Sequence, residues 1–145
     1  MQSPTRTNRV SGAIRAGRAI TLIPVVFLLF DSSIKLAGIK PVIDSFKALG
    51  FNPDIALSIG LLEALCLTVY LVPRTSLAGA VLLTGFLGGA IAIHVRMGDP
   101  LFTHVLFPVY VGALLWAGLL LRNERVRELV ISNQKGNDDA IHQHA

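Results

Sequence analysis

TGFLGGAIAIHVRMGDPLFTHVLFPVYVGALLWAGLLLR, residues Thr84 to Arg122, is the stretch that decides the fold. Two apolar segments meet at Met97-Gly98-Asp99-Pro100, a sequence suited to a turn. Glycine there accepts a left-handed backbone, and proline cannot continue the preceding helix. Each segment is long enough to cross a hydrocarbon core of ~30 Å at about 1.5 Å per residue. The stretch therefore reads as a helical hairpin in a membrane. His94 and Arg96 precede the turn and His104 follows it, so titratable and cationic side chains stand where two hydrophobic helices meet.

The rest of the chain has the same character. Of 145 residues, 52% are hydrophobic and only 15% charged, against roughly 25% charged in soluble domains. Mean hydropathy is +0.62. The net charge of +4 does not mark a nucleic-acid-binding protein, because the basic residues sit at the ends of apolar segments and form no basic face. Cys66 is the sole cysteine, which excludes an intramolecular disulfide, a CxxC redox pair and a thiolate metal cage within one chain. At one turn from Glu63 it reads as a small core residue.

Working outward, the composition predicts an all-α integral membrane four-helix bundle, with spans at about 18–38, 55–72, 77–96 and 101–121. Residues 1–17 form a basic amino end, 18–122 the membrane domain and 123–145 a charged, partly disordered tail. Asp31 and Lys35 stand where a cleavable signal would carry small neutral residues, so the first span is retained. Pro24 is expected to bend it. Between the first two spans, Val42, Ile43, Phe46 and Leu49 recur at helical spacing and predict a short amphipathic helix at the interface. Gly50 ends it, and Asn52-Pro53-Asp54 opens the second span.

Charge placement sets the expected orientation. Arg6, Arg9, Arg15, Arg18, Arg74, Arg122, Arg125, Arg127 and Lys135 fall on one side, and only Lys40, Lys47 and Arg96 on the other. By the positive-inside rule both termini are cytoplasmic; the expected location is a bacterial inner membrane. Tyr70 and Trp116 then fall near the cytoplasmic interface as belt aromatics.

Depth follows from helical rise. Asp31 lies about 10–12 Å and Glu63 roughly 13 Å below the outer face, while Lys35, His94, Arg96 and His104 lie within roughly 6 Å of it. The candidate site residues are thus Asp31, Lys35, Glu63, His94, Arg96 and His104, all in the outer half. A charge at the centre of a spanning helix costs about 2.5–3.5 kcal/mol, so it persists when paired or functional. Asp31 and Lys35 are four apart and can neutralise each other. Glu63 has no partner at helical spacing and must find Lys35, Arg96 or a histidine across the bundle, or stay protonated. His94 and His104 can approach across the hairpin. Haem or metal ligation, proton exchange with a quinone, and hydrogen bonding to loop carbonyls all remain open for them. Arg96 either holds an anionic head group or snorkels to the interface. No metal cage is visible. Gly85, Gly88 and Gly89, in a small-xxx-small pattern, are the expected helix-packing or dimerisation strip.

These residues also resemble a known family. Phe30-Asp31-Ser32 with Lys35, Gly60-Leu61-Leu62-Glu63, Leu71-Val72-Pro73-Arg74-Thr75, and the hairpin from Leu83 through His94-Val95-Arg96, Asp99-Pro100-Leu101-Phe102 and Phe107-Pro108 are similar to DoxX-like proteins. The likeness covers about residues 18 to 127. It implies a four-helix membrane protein, and its name-giving relatives are small subunits of quinone-linked oxidases or thiosulfate:quinone oxidoreductases. The expectation is an accessory protein or subunit, not an enzyme by itself, that binds a quinone-like or small amphipathic ligand. It would work with an oxidoreductase partner subunit or as a homodimer in the lipid bilayer. A small proton-coupled transporter using Glu63, and a membrane scaffold without chemistry, are the competing expectations.

Overall fold

The computed structural model describes residues 4–128, with side chains from residue 12 onward. The expected disorder toward the end of the tail lies outside these residues. The described chain is all-helical. Its elements are α1 (Pro4–Leu36), α2 (Lys40–Ala48), α3 (Ile55–Leu71), α4 (Ser76–Met97), a π-helical turn (Leu101–Val105) and α5 (Phe107–Arg122).

Two elements depart from the sequence expectation. α1 runs back to Pro4, so the basic amino end is continuous with the apolar helix. The last apolar segment is not one uniform α-helix. Pro108 has no N–H, and its ring excludes a regular turn against the carbonyl of His104. The chain instead widens, with the Leu106 N–H reaching the Leu101 carbonyl at 2.8 Å, before α5 begins. Pro24 is accommodated inside α1, fully buried.

Three stretches, Gly12–Leu36, Ser76–Met97 and Leu101–Arg122, are long and apolar enough to cross a membrane, and α3 is a shorter apolar helix. No more than 33% of any of these three apolar windows is buried. Leu22, Ile23, Phe30, Leu61, Leu65 and Val81 all point outward. A water-soluble fold does not leave so much contiguous apolar surface exposed, whereas lipid tails accept it. The chain has the surface of a membrane protein.

α1 packs against α3 and α5, and α4 packs against the same two, so the four apolar helices form a closed ring. Short connections make sequence neighbours antiparallel. α2 rests on α3 through Val42, Phe46 and Ala56, which form a small satellite cluster, as its amphipathic spacing requires. Gly38 (φ 59°) and Gly50 (φ 78°) reverse the chain on either side of it. Residues 124–128 are again helical, and Val126 is buried in the main core.

The tight helix contacts fall elsewhere than at Gly85, Gly88 and Gly89. A Cβ at any of those three would meet nothing within 4 Å: Gly85 and Gly89 border an open cavity, and no neighbouring helix comes close at Gly88. The close approaches are at Gly79, where a Cβ would strike the Tyr70 backbone, and at Gly118, where it would strike the Thr21 hydroxyl. A Cβ at Gly17 would similarly lie 2.9 Å from the Arg122 nitrogen, and one at Gly60 2.8 Å from Lys35 Cβ. Tyr70 is likewise no belt residue. It is fully buried, its hydroxyl donates to the Leu115 carbonyl at 2.8 Å, and the Arg122 guanidinium sits 4.7 Å from its ring centre. Trp116 donates to Thr84 Oγ1 at 2.9 Å and ties α5 to α4.

The two glycine classes predict opposite responses. Gly79→Ala forces the α3 and α4 backbones apart and should cost about 1–3 kcal/mol. Gly88→Ala meets open space in a helix and should leave stability unchanged or raise it by up to about 1 kcal/mol. Thermal melting of both variants in the same mild detergent checks this, and equal losses would contradict it.

Candidate functional site

The polar centre begins with a helix register. Asp31 and Lys35 occupy neighbouring turns of one α1 face. On α3, Gly60 and Glu63 are three apart and share a face. Because Gly60 has no side chain, α3 lies directly against Lys35 and Leu36, and Glu63 is brought level with the end of the lysine side chain. Lys35 Nζ then donates to Asp31 Oδ2 at 2.6 Å and to Glu63 Oε2 at 2.7 Å. The Glu63 side chain is 0% exposed, Lys35 14% and Asp31 30%. Of the partners open to Glu63 in the sequence, the fold selects Lys35. The other Glu63 oxygen, Oε1, is buried with no hydrogen-bond partner among the described residues. The ammonium also lies 5.5 Å from the centre of the Phe86 ring.

The second polar group is built by the α4 terminus. Gly98 adopts a left-handed conformation (φ 71°), so the N–H groups of Gly98 and Asp99 return to the Val95 and His94 carbonyls at 3.1 Å each. That closure folds Asp99 back, and His94 Nδ1 donates to Asp99 Oδ2 at 2.7 Å. The π-helical turn presents His104, whose ring centre is 5.8 Å from that of His94 at an interplanar angle of 64°. His104 Nδ1 lies 2.9 Å from the Thr103 hydroxyl. The approach of the two histidines therefore occurs. Among the described residues, no group of three or more His, Cys, Asp or Glu side chains is placed to hold a metal ion.

Between these groups lies a cavity of about 640 Å³ walled by all four apolar helices and by the α2 segment. That is within the ~300–1,000 Å³ range of small-molecule sites. Asp31, Lys35 and His94 line it together. Most of the remaining wall is apolar, with Phe27, Phe46, Phe51, Phe86 and Phe107 contributing rings, and Cys66 also reaches it. Glu63 stands behind Lys35 and outside the lining. His104 joins only through His94. Arg96 is not part of the lining; it donates to the Leu49 carbonyl at 2.8 Å, fastening the end of α4 to the end of α2. Sequence reasoning missed Asp99 as the His94 partner and missed the phenylalanine wall. The first was findable, since a Gly-Asp pair just past a helix end returns toward the last turn.

The ion cluster gives a stability test. Lys35→Met leaves the Glu63 carboxylate buried without its cation and should cost about 3–5 kcal/mol. Adding Glu63→Gln removes the orphaned charge and should recover most of that loss. Melting of the single and double variants in detergent measures both, and a double variant as unstable as the single one would contradict the coupling.

The geometry can be set beside known sequences. The model of the DoxX-like family matches residues 19–118, a segment that contains Asp31, Lys35, Glu63, His94 and the first three quarters of α5. No curated protein and no solved structure matches the chain. The chain belongs to the DoxX-like family.

Proposed function

We propose that the chain is a four-span protein of the bacterial cytoplasmic membrane whose outer-half cavity binds a small amphipathic ligand of the quinone type, as accessory subunit to a partner oxidoreductase. The observation that carries this reading is the cavity itself: a space of about 640 Å³, mostly apolar, with Asp31, Lys35 and His94 on its wall. An apolar enclosure with a few placed polar groups is the usual form of a site that holds a ring or chain by burial and its head by hydrogen bonds. In this reading His94, oriented by Asp99, meets the head group. Asp31 and Glu63 hold and exchange protons through the ammonium they share. His104 supports His94, and Arg96 positions the outer wall.

Four spans require α3 to cross. Its 17 residues extend about 25 Å, and the Asn52-Pro53-Asp54 turn adds the remainder of the hydrocarbon thickness. Both termini then lie in the cytoplasm, with the α2 connector and the His94–His104 turn outside. The unpartnered, fully buried Glu63 Oε1 favours a second reading, proton-coupled exchange of the ligand through Glu63.

Three measurements separate these statements. Reporter fusions at the two ends should both report the cytoplasm, and opposite sides would exclude four spans. Protein extracted in mild detergent should carry a co-purifying amphipath detectable by mass spectrometry. Absence of any ligand, together with no binding of added short-chain quinones or of their quinol forms, rejects the binding role. Ligand addition should release protons under the exchange reading, and Glu63→Gln should abolish the release; no release from the unmodified protein eliminates that reading.

A further inference from the structure

Resting on the reading that the cavity takes a small amphipath, we propose that its polar lining selects a head group that donates hydrogen bonds. A phenolic or quinol-type hydroxyl fits this requirement. A head that only accepts hydrogen bonds, or one that carries negative charge, does not.

The inference comes from counting donors and acceptors on the cavity wall. An ammonium has three N–H donors. Lys35 spends two of them on Asp31 and Glu63, at 2.6 Å and 2.7 Å, and its nitrogen also faces the Phe86 ring. One N–H is left for a ligand. Acceptors are more plentiful. Asp31 engages Lys35 through Oδ2, and Oδ1 makes no hydrogen bond among the described residues. The Asp31 side chain is 30% exposed, so Oδ1 belongs to a group that a ligand can reach. His94 donates from Nδ1 to the Asp99 carboxylate, an acceptor-only group. In the neutral ring that leaves Nε2 as a lone pair on a residue of the cavity wall.

Charge points the same way. One ammonium already serves two carboxylates, so a carboxylate or phosphate head would bring a third anion to a single cation inside an apolar wall. A hydroxyl adds no charge and supplies a donor to the free Asp31 oxygen and, in the neutral ring, to His94 Nε2. The phenylalanine rings take the remainder of the molecule by burial and edge-to-face contact. If the physiological ligand cycles between carbonyl and hydroxyl forms, the hydroxyl form is the one held.

Three probes of matched shape test this with the unmodified full chain in lipid nanodiscs, empty nanodiscs serving as the partition reference. They are para-octylphenol, its methyl ether and para-octylbenzoate. The phenol should bind roughly 10-fold or more tighter than the ether, the factor expected for a hydrogen bond to a charged acceptor. It should also bind tighter than the benzoate. Asp31→Asn should shrink the phenol-to-ether ratio toward one, with Gly88→Ala as a folded control that keeps it. Equal binding of phenol and ether, or tighter binding of the benzoate, overturns the head-group selection and leaves the amphipath reading standing. No binding of any probe overturns both.

Discussion

Lys35 between Asp31 and Glu63 is the constraint on which the hollow half of the bundle depends. Three charged side chains at membrane depth are tolerable only if they meet, since each alone is costly to desolvate. Asp31 meets Lys35 within one helix at no cost to the fold. Glu63 meets it only if α3 lies close against α1 and at one rotation about its own axis. Gly60, with Lys35 Cβ 2.8 Å from where its own side chain would be, is what makes both possible. The ion cluster and the glycine thus set a single register between α1 and α3, and the cavity wall follows from it.

The bundle is built differently at its two ends. Around Tyr70, Leu83, Leu115 and Leu119 the interior is filled, and glycines at 17, 79 and 118 bring backbones into contact. Toward the Lys35 end the residues of α4 that face inward include Gly85, Gly89 and Ala90, which are too small to reach across. Glycine therefore has two uses in one chain. At Gly79 and Gly118 its missing side chain admits a neighbouring helix, and at Gly85 and Gly89 it leaves space.

How much of this was legible in the sequence follows from what helical periodicity encodes. Depth along a helix and face around it are both readable, so the Asp31–Lys35 pair, the unmatched Glu63, the amphipathic α2 and the facing histidines all stood in the residues. The rotation of one helix against the next is fixed only by packing. That is why the small-residue pattern, although it also takes in Gly79 and Gly118, puts its weight on Gly85, Gly88 and Gly89, where a Cβ would meet nothing. It is also why Arg96 was placed among the site residues. Its position at a helix end was right, but its guanidinium reaches the Leu49 carbonyl because α2 folds back over that end. Tyr70 was misread for a related reason. A tyrosine near a span terminus usually meets water, but the Leu115 carbonyl and the Arg122 side chain satisfy it within the fold. The π-helical turn had a sequence cause in Pro108, whose effect on the preceding turn was underweighted.

A cavity inside a membrane protein poses a different problem from one in a soluble core. Its lining loses dispersion contacts if nothing fills it, and around it lie flexible hydrocarbon chains that can enter. An apolar wall by itself would be filled by lipid tails. What distinguishes this one is that a carboxylate, an ammonium and a carboxylate-oriented imidazole share the wall. A lipid tail leaves the free Asp31 oxygen and the second ring nitrogen of His94 without partners among the described residues, and water satisfies them only by entering an apolar space. A molecule with a ring or chain at one end and a polar head at the other satisfies both demands at once. In the proposed reading, the arrangement of Asp31, Lys35 and His94 would favour an amphipath over the surrounding lipid by the polar groups it pairs, since the burial is one that lipid could equally provide.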